Sequence, residues 1–308
     1  MRRRRRPVER MNMTLSAQLV LNPSDRRQAV VDVLRSATRN LVLSIFRCDD
    51  FGIIGEITDA VSRNVGVKVL ISRRAKGWDK RLSRLAELLA SAGADVCRYN
   101  RPTVKYHAKY IVADDTTALV SSSNFTHKCF KTTCDFLLVG HDPQVISGLK
   151  NLFEHDCHTP DTAVPEVSER LIVGPERTRE RFTRLLESAK TSISIMDHRV
   201  TDPRMMELIE AKRRGGVNVR ILGRGNFDGL LSHGKMIVID DQQAVIGSVA
   251  LSQASLDTRR EVAITIEEPE LVLELSRFFE YCASRHVEYV PTDNIDEDDE
   301  DREDDGRT

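Results

Sequence analysis

Two stretches of this 308-residue chain repeat one arrangement of reactive side chains. The first reads Tyr106-His107-Ala108-Lys109-Tyr110-Ile111-Val112-Ala113-Asp114, and the second Ser232-His233-Gly234-Lys235-Met236-Ile237-Val238-Ile239-Asp240. Each is a strand-like run that closes in a polar turn, Asp114-Asp115-Thr116-Thr117 or Asp240-Asp241-Gln242-Gln243, and enters a second apolar run, 118–122 or 244–248. Side chains two apart on an extended chain share a face, so the His and Lys of each stretch are expected side by side. An imidazole next to an ammonium suits an anionic group such as a phosphate. The lysine supplies fixed charge, and the histidine attacks or moves protons. Lysine is scarce here, 11 of the 46 basic residues, so a lysine in a motif is less easily background. A single match to His-x-Lys-x4-Asp arises by chance in about two per cent of chains of this composition. Two matches in step with a repeat outweigh the alternative of a satisfied core histidine.

The repeat covers most of the chain, and it decides the architecture. Pro23 aligns with Pro175, and Leu34-Arg35-Ser36-Ala37 with Leu186-Glu187-Ser188-Ala189. Each helical stretch runs into an alternating strand, 41–45 or 193–195, and Gly66-Val67-Lys68-Val69 then matches Gly216-Val217-Asn218-Val219. Further on the halves align at an offset of 126 without gaps. His107 pairs with His233, Lys109 with Lys235, Asp114 with Asp240, Asp135 with Glu261, and Phe153-Glu154 with Phe279-Glu280. Alternating helix and strand predicts an α/β layer architecture, helices covering a sheet in each half. The first half carries an extra helix near 81–92 and a strand near 95–99. The second passes from Leu222 to His233 through Gly223-Arg224-Gly225-Asn226-Phe227-Asp228-Gly229-Leu230-Leu231-Ser232. The expected organisation is a basic tail 1–20, a first repeat 21–158, a linker 159–170, a second repeat 171–290 and an acidic tail 291–308.

The net charge of −1 conceals segregation. Residues 291–308 hold ten acids and two arginines, and residues 1–10 hold six arginines and one glutamate. Both ends read as disordered. The arginines 2–6 would attract phosphate-bearing partners, unless Met11 or Met13 is the true start. Pro7, Glu9, Arg10 and Asn12 interrupt any apolar core of a signal peptide, and no run approaches a membrane span. The six cysteines form no Cys-x-x-Cys pair, so reduced cytosolic thiols are expected.

The paired motif resembles the HKD motif of the phospholipase D superfamily, whose full form runs HxKxxxxDxxxxxxGSxN. The first copy continues Ser121-Ser122-Ser123-Asn124, with Ser in place of Gly; the second continues Gly247-Ser248-Val249-Ala250, with Ala in place of Asn. The run Arg259-Arg260-Glu261-Val262-Ala263 and the helix after it resemble bacterial cardiolipin-synthase-like members. The resemblance implies two pseudo-symmetric repeats packed with the active site at their seam. It implies His107, Lys109, Asp114, His233, Lys235 and Asp240 as the catalytic set. One histidine would form a phosphohistidine, while the other protonates the leaving alcohol and then activates water or an acceptor alcohol. Asp135 and Glu261 fit the acids that orient the histidines, and Ser122, Ser123, Asn124 and Ser248 would neutralise phosphoryl oxygens. No metal or cofactor is implied.

Substrate class stays open at this level. A phospholipid head-group hydrolase or phosphatidyltransferase comes first, cytoplasmic with peripheral membrane contact. Trp78 among Arg73, Arg74, Lys76, Lys80 and Arg81 would suit a lipid interface or a stacked base, or be a plain exposed loop. A nuclease on DNA or RNA is the second reading, and a non-catalytic phosphate-binding module, hinted at by Ala250, the third. The cluster His155-Asp156-Cys157-His158 lacks a partner pair at ligand spacing and reads as a helix end rather than a metal site. His127 and Lys128 are either substrate contacts or a solvated loop. Oligomeric state is not legible.

Overall fold

The structure is a computed structural model that describes residues 17–288. The arginine run 2–6 and the acidic block 291–308 lie outside the described residues. The first half runs β1 (Ala17–Val20), α1 (Pro23–Ser36), β2 (Asn40–Ile45), α2 (Phe51–Ser62), β3 (Gly66–Ile71), α3 (Asp79–Ser91), β4 (Asp95–Arg98), β5 (Lys105–Tyr106), β6 (Tyr110–Ala113), β7 (Thr117–Ser121), α4 (His127–Lys131), β8 (Thr133–Cys134), β9 (Leu137–Gly140) and α5 (Pro143–His158). The second runs β10 (Leu171–Val173), α6 (Thr178–Ser188), β11 (Ser192–Met196), α7 (Pro203–Arg214), β12 (Asn218–Leu222), β13 (Gly225–Phe227), β14 (Leu230–Ser232), β15 (Lys235–Ile239), β16 (Gln243–Gly247), α8 (Gln253–Asp257), β17 (Arg259–Arg260), β18 (Val262–Ile266), α9 (Pro269–Ala283) and β19 (His286–Glu288).

The repeat is a repeat of sheets. Strand order is β1-β9-β7-β6-β2-β3-β4 in one and β10-β18-β16-β15-β11-β12 in the other, the same order without a counterpart of β4. Alternation along each strand splits its residues between two cores. Leu41, Leu43, Ile45, Ile111 and Ala113 face α1, α2 and α3. Val42, Tyr110 and Val112 face the middle of the molecule, as do Met236 and Val238 of the second sheet. That middle layer is filled by α5 and α9, through Leu149, Leu152, Phe153, Leu275 and Phe279. Ile193, Ile195, Ile237 and Ile239 face α6 and α7. Helix starts follow the local chemistry: Asp50, Asp142 and Asp202 cap α2, α5 and α7 by accepting backbone N–H groups.

Three expectations change. Ala17–Val20 is not tail; it pairs with β9 as the edge strand, Leu19 beside Leu138, because its alternating apolar residues bury. Cys97 on β4 and Cys157 on α5 are joined by a disulfide, so not all six thiols are reduced. Sixty residues separate them in sequence, and only the packing of α5 under β4 brings their Cα atoms to 5.8 Å. Trp78 is buried, not exposed. Its ring lies between Arg47 and Arg81, whose guanidinium carbons sit 5.4 and 5.1 Å from the ring centroid.

Candidate active site at the seam

The motif strands do not stay in their own sheets. Upstream of β6 the chain turns away, and β5 pairs in parallel with β17 of the other half, Lys105 beside Arg259 and Tyr106 beside Arg260. Likewise β14 pairs in parallel with β8, Leu231 beside Thr133 and Ser232 beside Cys134. At the offset of 126 each ladder maps onto the other with the halves exchanged, which is the signature of an isologous contact. His107 continues its ladder by donating its N–H to the Arg260 carbonyl at 2.9 Å, and Gly234 donates to that of Cys134 at 2.7 Å. The second copy has Gly at 234 for a local reason: a Cβ there would meet the Cys134 carbonyl oxygen at 2.8 Å and the Phe136 ring at 2.7 Å.

These ladders decide which acid meets which histidine. Glu261 follows Arg260, so its carboxylate arrives beside His107, Nδ1 to Oε2 at 2.8 Å. Asp135 follows Cys134 and arrives beside His233, Nδ1 to Oδ1 at 2.8 Å. Each histidine is thus oriented by the acid of the opposite half. All four side chains are buried. Burial by itself would raise the Asp135 carboxyl. The imidazole of His233, the guanidinium of Arg26 and the Ser122 hydroxyl outweigh it and hold Asp135 well below the ordinary carboxylate range. Burial opposes ionisation of Glu261 too, but His107, Lys109 and Arg259 pull its carboxyl down. A carboxylate fixed on Nδ1 holds the proton there and leaves Nε2 of each ring as the reactive nitrogen.

The lysines of the motifs are buried alongside. Lys109 donates from Nζ to the His107 carbonyl at 2.7 Å and lies 4.9 Å from the Phe46 ring centroid. Phe46 also meets the His107 ring edge-on at 4.5 Å. The equivalent place in the other half, just past β11, is His198, whose ring stacks over His233 at 6.4 Å.

Several expected roles are corrected by the hydrogen bonding. Asp114 and Asp240 do not join the histidines. They close the hairpins at the far ends of β6 and β15, with left-handed φ of 52° and 54°. Asp114 accepts from the N–H groups of Thr38, Arg39 and Asn40 and from the Thr38 hydroxyl, at 2.6–2.8 Å. Asp240 accepts from Lys190, Thr191 and Ser192 in the same way. They fasten α1 to β2 and α6 to β11, and these contacts hold both carboxyls at about 2 against the cost of burial. Three hydroxyls expected on phosphate are also engaged elsewhere. Ser122 gives its one proton to Asp135 at 2.6 Å and accepts from the N–H of Phe136. Ser123 donates to the Asn124 carbonyl, and Ser248 bonds the backbone of Val262. Asn124 is buried beside this network, and its Oδ1 has no partner among the described residues.

Other residues were not singled out from sequence. Ser255 donates to Glu261 Oε1 at 2.8 Å and Thr133 to Asp135 Oδ2 at 2.5 Å, completing the carboxylate shells. Arg26, fully buried, donates to the carbonyls of Leu21, Cys129 and Thr133 and so ties α1 to the segment that presents Asp135. The sulfur of Cys129 lies within 4.8 Å of the Asp135 and His233 ligand atoms, but the Asp135 oxygens already receive Ser122, Thr133 and His233. In the helix end once weighed for metal, His155 bonds Asp156, which pairs with buried Arg260, and Cys157 is in the disulfide. His127 sits exposed at the start of α4.

The Asp114 and Asp240 clamps carry a direct expectation. Their carboxyls titrate below the unfolded value of about 4, so their stabilisation is complete above that pH and fades as pH falls toward 2. Asp114→Asn and Asp240→Asn should each cost about 1–3 kcal/mol at pH 7 and flatten acid unfolding between roughly pH 4 and 2. Urea unfolding along a pH series measures both, and an unchanged acid limb in the two variants would refute the assignment.

Two α/β repeats thus exchange acids across a seam, each around one histidine and one lysine. The family model described as "Cardiolipin synthase, PLD-like domain" matches residues 30–157 and 226–283, and the chain belongs to that phospholipase D-like family. No curated protein matches the sequence. Among solved structures, polyphosphate kinase from Porphyromonas gingivalis superposes with a TM-score of 0.73 at 18% identity over 91% of this chain. This chain spans 50% of the length of that kinase. Phosphatidylserine synthase from Haemophilus influenzae Rd KW20 superposes with a TM-score of 0.72 at 12% identity, covering 88% of this chain and 87% of its own. At such identities these likenesses establish the fold, two pseudo-repeats of sheet and helix, and no more.

Proposed function

We propose that the chain is a metal-independent phosphodiesterase or phosphatidyl-type transferase that works through a phosphohistidine. The observation that carries this reading is the exchanged pairing, His107 with Glu261 and His233 with Asp135. Nε2 of His107 attacks phosphorus and forms the P–N bond as the P–O bond to the leaving alcohol breaks. His233, protonated, gives its Nε2 proton to that alcohol. It then takes a proton from water or an acceptor alcohol, whose oxygen attacks phosphorus and expels His107. Lys109, Lys235 and Asn124 offset the charge on the phosphoryl oxygens. His107 is assigned as nucleophile because its half retains Asn124 where the other has Ala250.

A phospholipid substrate is supported by the cardiolipin-synthase description of the matching family. No helix among the described residues is long and apolar enough to cross a membrane. The burial of Trp78 removes it as an interfacial anchor. A nucleic-acid substrate is the second reading, favoured by a cationic cleft described below. Head-group release from phospholipid vesicles and cleavage of single-stranded DNA by one preparation, each compared with the His107→Ala variant, tests both.

Turnover should be unaffected by EDTA, since the proposed charge stabilisation comes from ammonium groups and an amide. Loss of activity in EDTA, restored by a divalent ion, would overturn the scheme.

A further inference from the structure

One asymmetry of the fold is the extra unit α3–β4 of the first half, which has no counterpart in the second sheet. It builds a cleft of about 470 Å³ along the carboxyl ends of β3 and β4 and the flank of β5. Ligands of parallel α/β sheets characteristically lie outside such strand ends. Five of its fourteen lining residues are cationic, Arg73, Arg74, Lys76, Arg101 and Lys105, and none is acidic. That balance decides the sign of what it takes. Arg73 bonds Asn100 and Arg101 pairs with Glu176, whereas Arg74 and Lys76 are exposed and make no side-chain bond among the described residues. The floor is aromatic: Tyr99 and Tyr106 rings lie 4.7 Å apart, and the Tyr106 hydroxyl bonds Ser44 at 2.7 Å.

The cleft is tied to the catalytic side by covalent and packed links. Lys105 precedes His107 by two residues, about 7 Å along an extended chain. The loop that carries Arg73, Arg74 and Lys76 ends at Trp78, which packs on Arg47, and Arg47 lies over Phe46, the ring against His107. We propose that this cleft is an anion subsite that seats a second phosphate of the same substrate molecule, beside the scissile one. A single-stranded nucleic acid presents such a row of phosphates; a lipid with one phosphate does not. The buried Tyr99 and Tyr106 rings offer no face for stacking, so recognition is of backbone charge and not of base.

This inference rests on the phosphohistidine reading for its kinetic arm only. Thymidine 5′-(p-nitrophenyl phosphate) with and without a 3′-phosphate isolates the second phosphate. The 3′-phosphate should raise kcat/KM about tenfold, by lowering KM, and the double variant Arg74→Gln/Lys76→Gln should bring the ratio of the two probes to about one. Arg277→Gln, a cation removed from the exposed face of α9, should leave the ratio intact. In parallel, fluorescence anisotropy with a labelled twelve-nucleotide single strand should show roughly tenfold weaker binding by the double variant, and affinity that falls with salt. If neither probe turns over, nucleotides are not substrates of the phosphohistidine chemistry, and the binding arm decides the cleft. Equal binding by wild type and double variant overturns the subsite. So does dependence of anionic-vesicle binding, but not strand binding, on Arg74 and Lys76.

Discussion

Replacing either His107 or His233 with alanine is expected to lower turnover by roughly 10⁴-fold or more, and the double variant should be no worse than the poorer single one. The reasoning is that the two imidazoles serve one reaction coordinate. Without the nucleophile no P–N bond forms. Without the proton carrier the alcohol leaves as an alkoxide, and water then meets the phosphoenzyme with no base. A natural alcohol substrate, with its poor leaving group, shows the full loss in both variants. Circular dichroism and thermal unfolding provide the control, because each ring fills a buried place on a carboxylate. Activity within tenfold of wild type in either folded variant would remove the two-histidine scheme.

Glu261→Gln and Asp135→Asn should each lower kcat by roughly 10²–10⁴-fold, and they should do so at different steps. Glu261 holds the His107 ring from the opposite half, so its amide variant slows formation of the phosphoenzyme. Asp135 holds His233, so its variant slows proton transfer. An aryl phosphodiester separates the two, because nitrophenolate leaves without needing a proton. With that substrate Asp135→Asn should give a burst of nitrophenolate and accumulate phosphate on His107, whereas Glu261→Gln should give neither burst nor adduct. Acid quenching would destroy the adduct, so the trap is quenched in alkali, where phosphohistidine persists, and mapped by mass spectrometry. Phosphate found on His233 would reverse the assignment of roles. A burst in Glu261→Gln and none in Asp135→Asn, with the phosphate still on His107, would mean that each acid serves the histidine of its own half, against the contacts at 2.8 Å.

The two motifs and the α/β repeat were legible because both are written in local spacing, a two-residue alternation and a constant offset of 126. Asp135 and Glu261 could be picked out by that offset, but not their partners. The contacts join residues 98 and 154 positions apart and depend on β5 and β14 leaving their sheets, which no periodicity announces. Spacing placed Asp114 and Asp240 in the motif and could not say that the strand carries them to its far end, where backbone N–H groups wait. Ser122, Ser123 and Ser248 were read by residue type, yet a hydroxyl has one proton and the neighbouring carboxylate or carbonyl takes it. Trp78 sits among cations in sequence. Of those cations only Arg81 lies over its ring; the other guanidinium on it, that of Arg47, comes from 31 residues away in sequence, a cover that no local spacing announces.

The exchange of acids has a consequence for inheritance. A duplicated gene usually leaves one copy free to drift while the other keeps the function. Here that freedom is missing at the positions that cross the seam, since a lesion at residue 135 disables the histidine at 233 and a lesion at 261 disables the one at 107. Positions that serve only their own half carry no such bond, and there the copies have parted: Phe46 against His198, Asn124 against Ala250, Cys129 against Ser255. The two halves are bound to a common fate where they trade carboxylates.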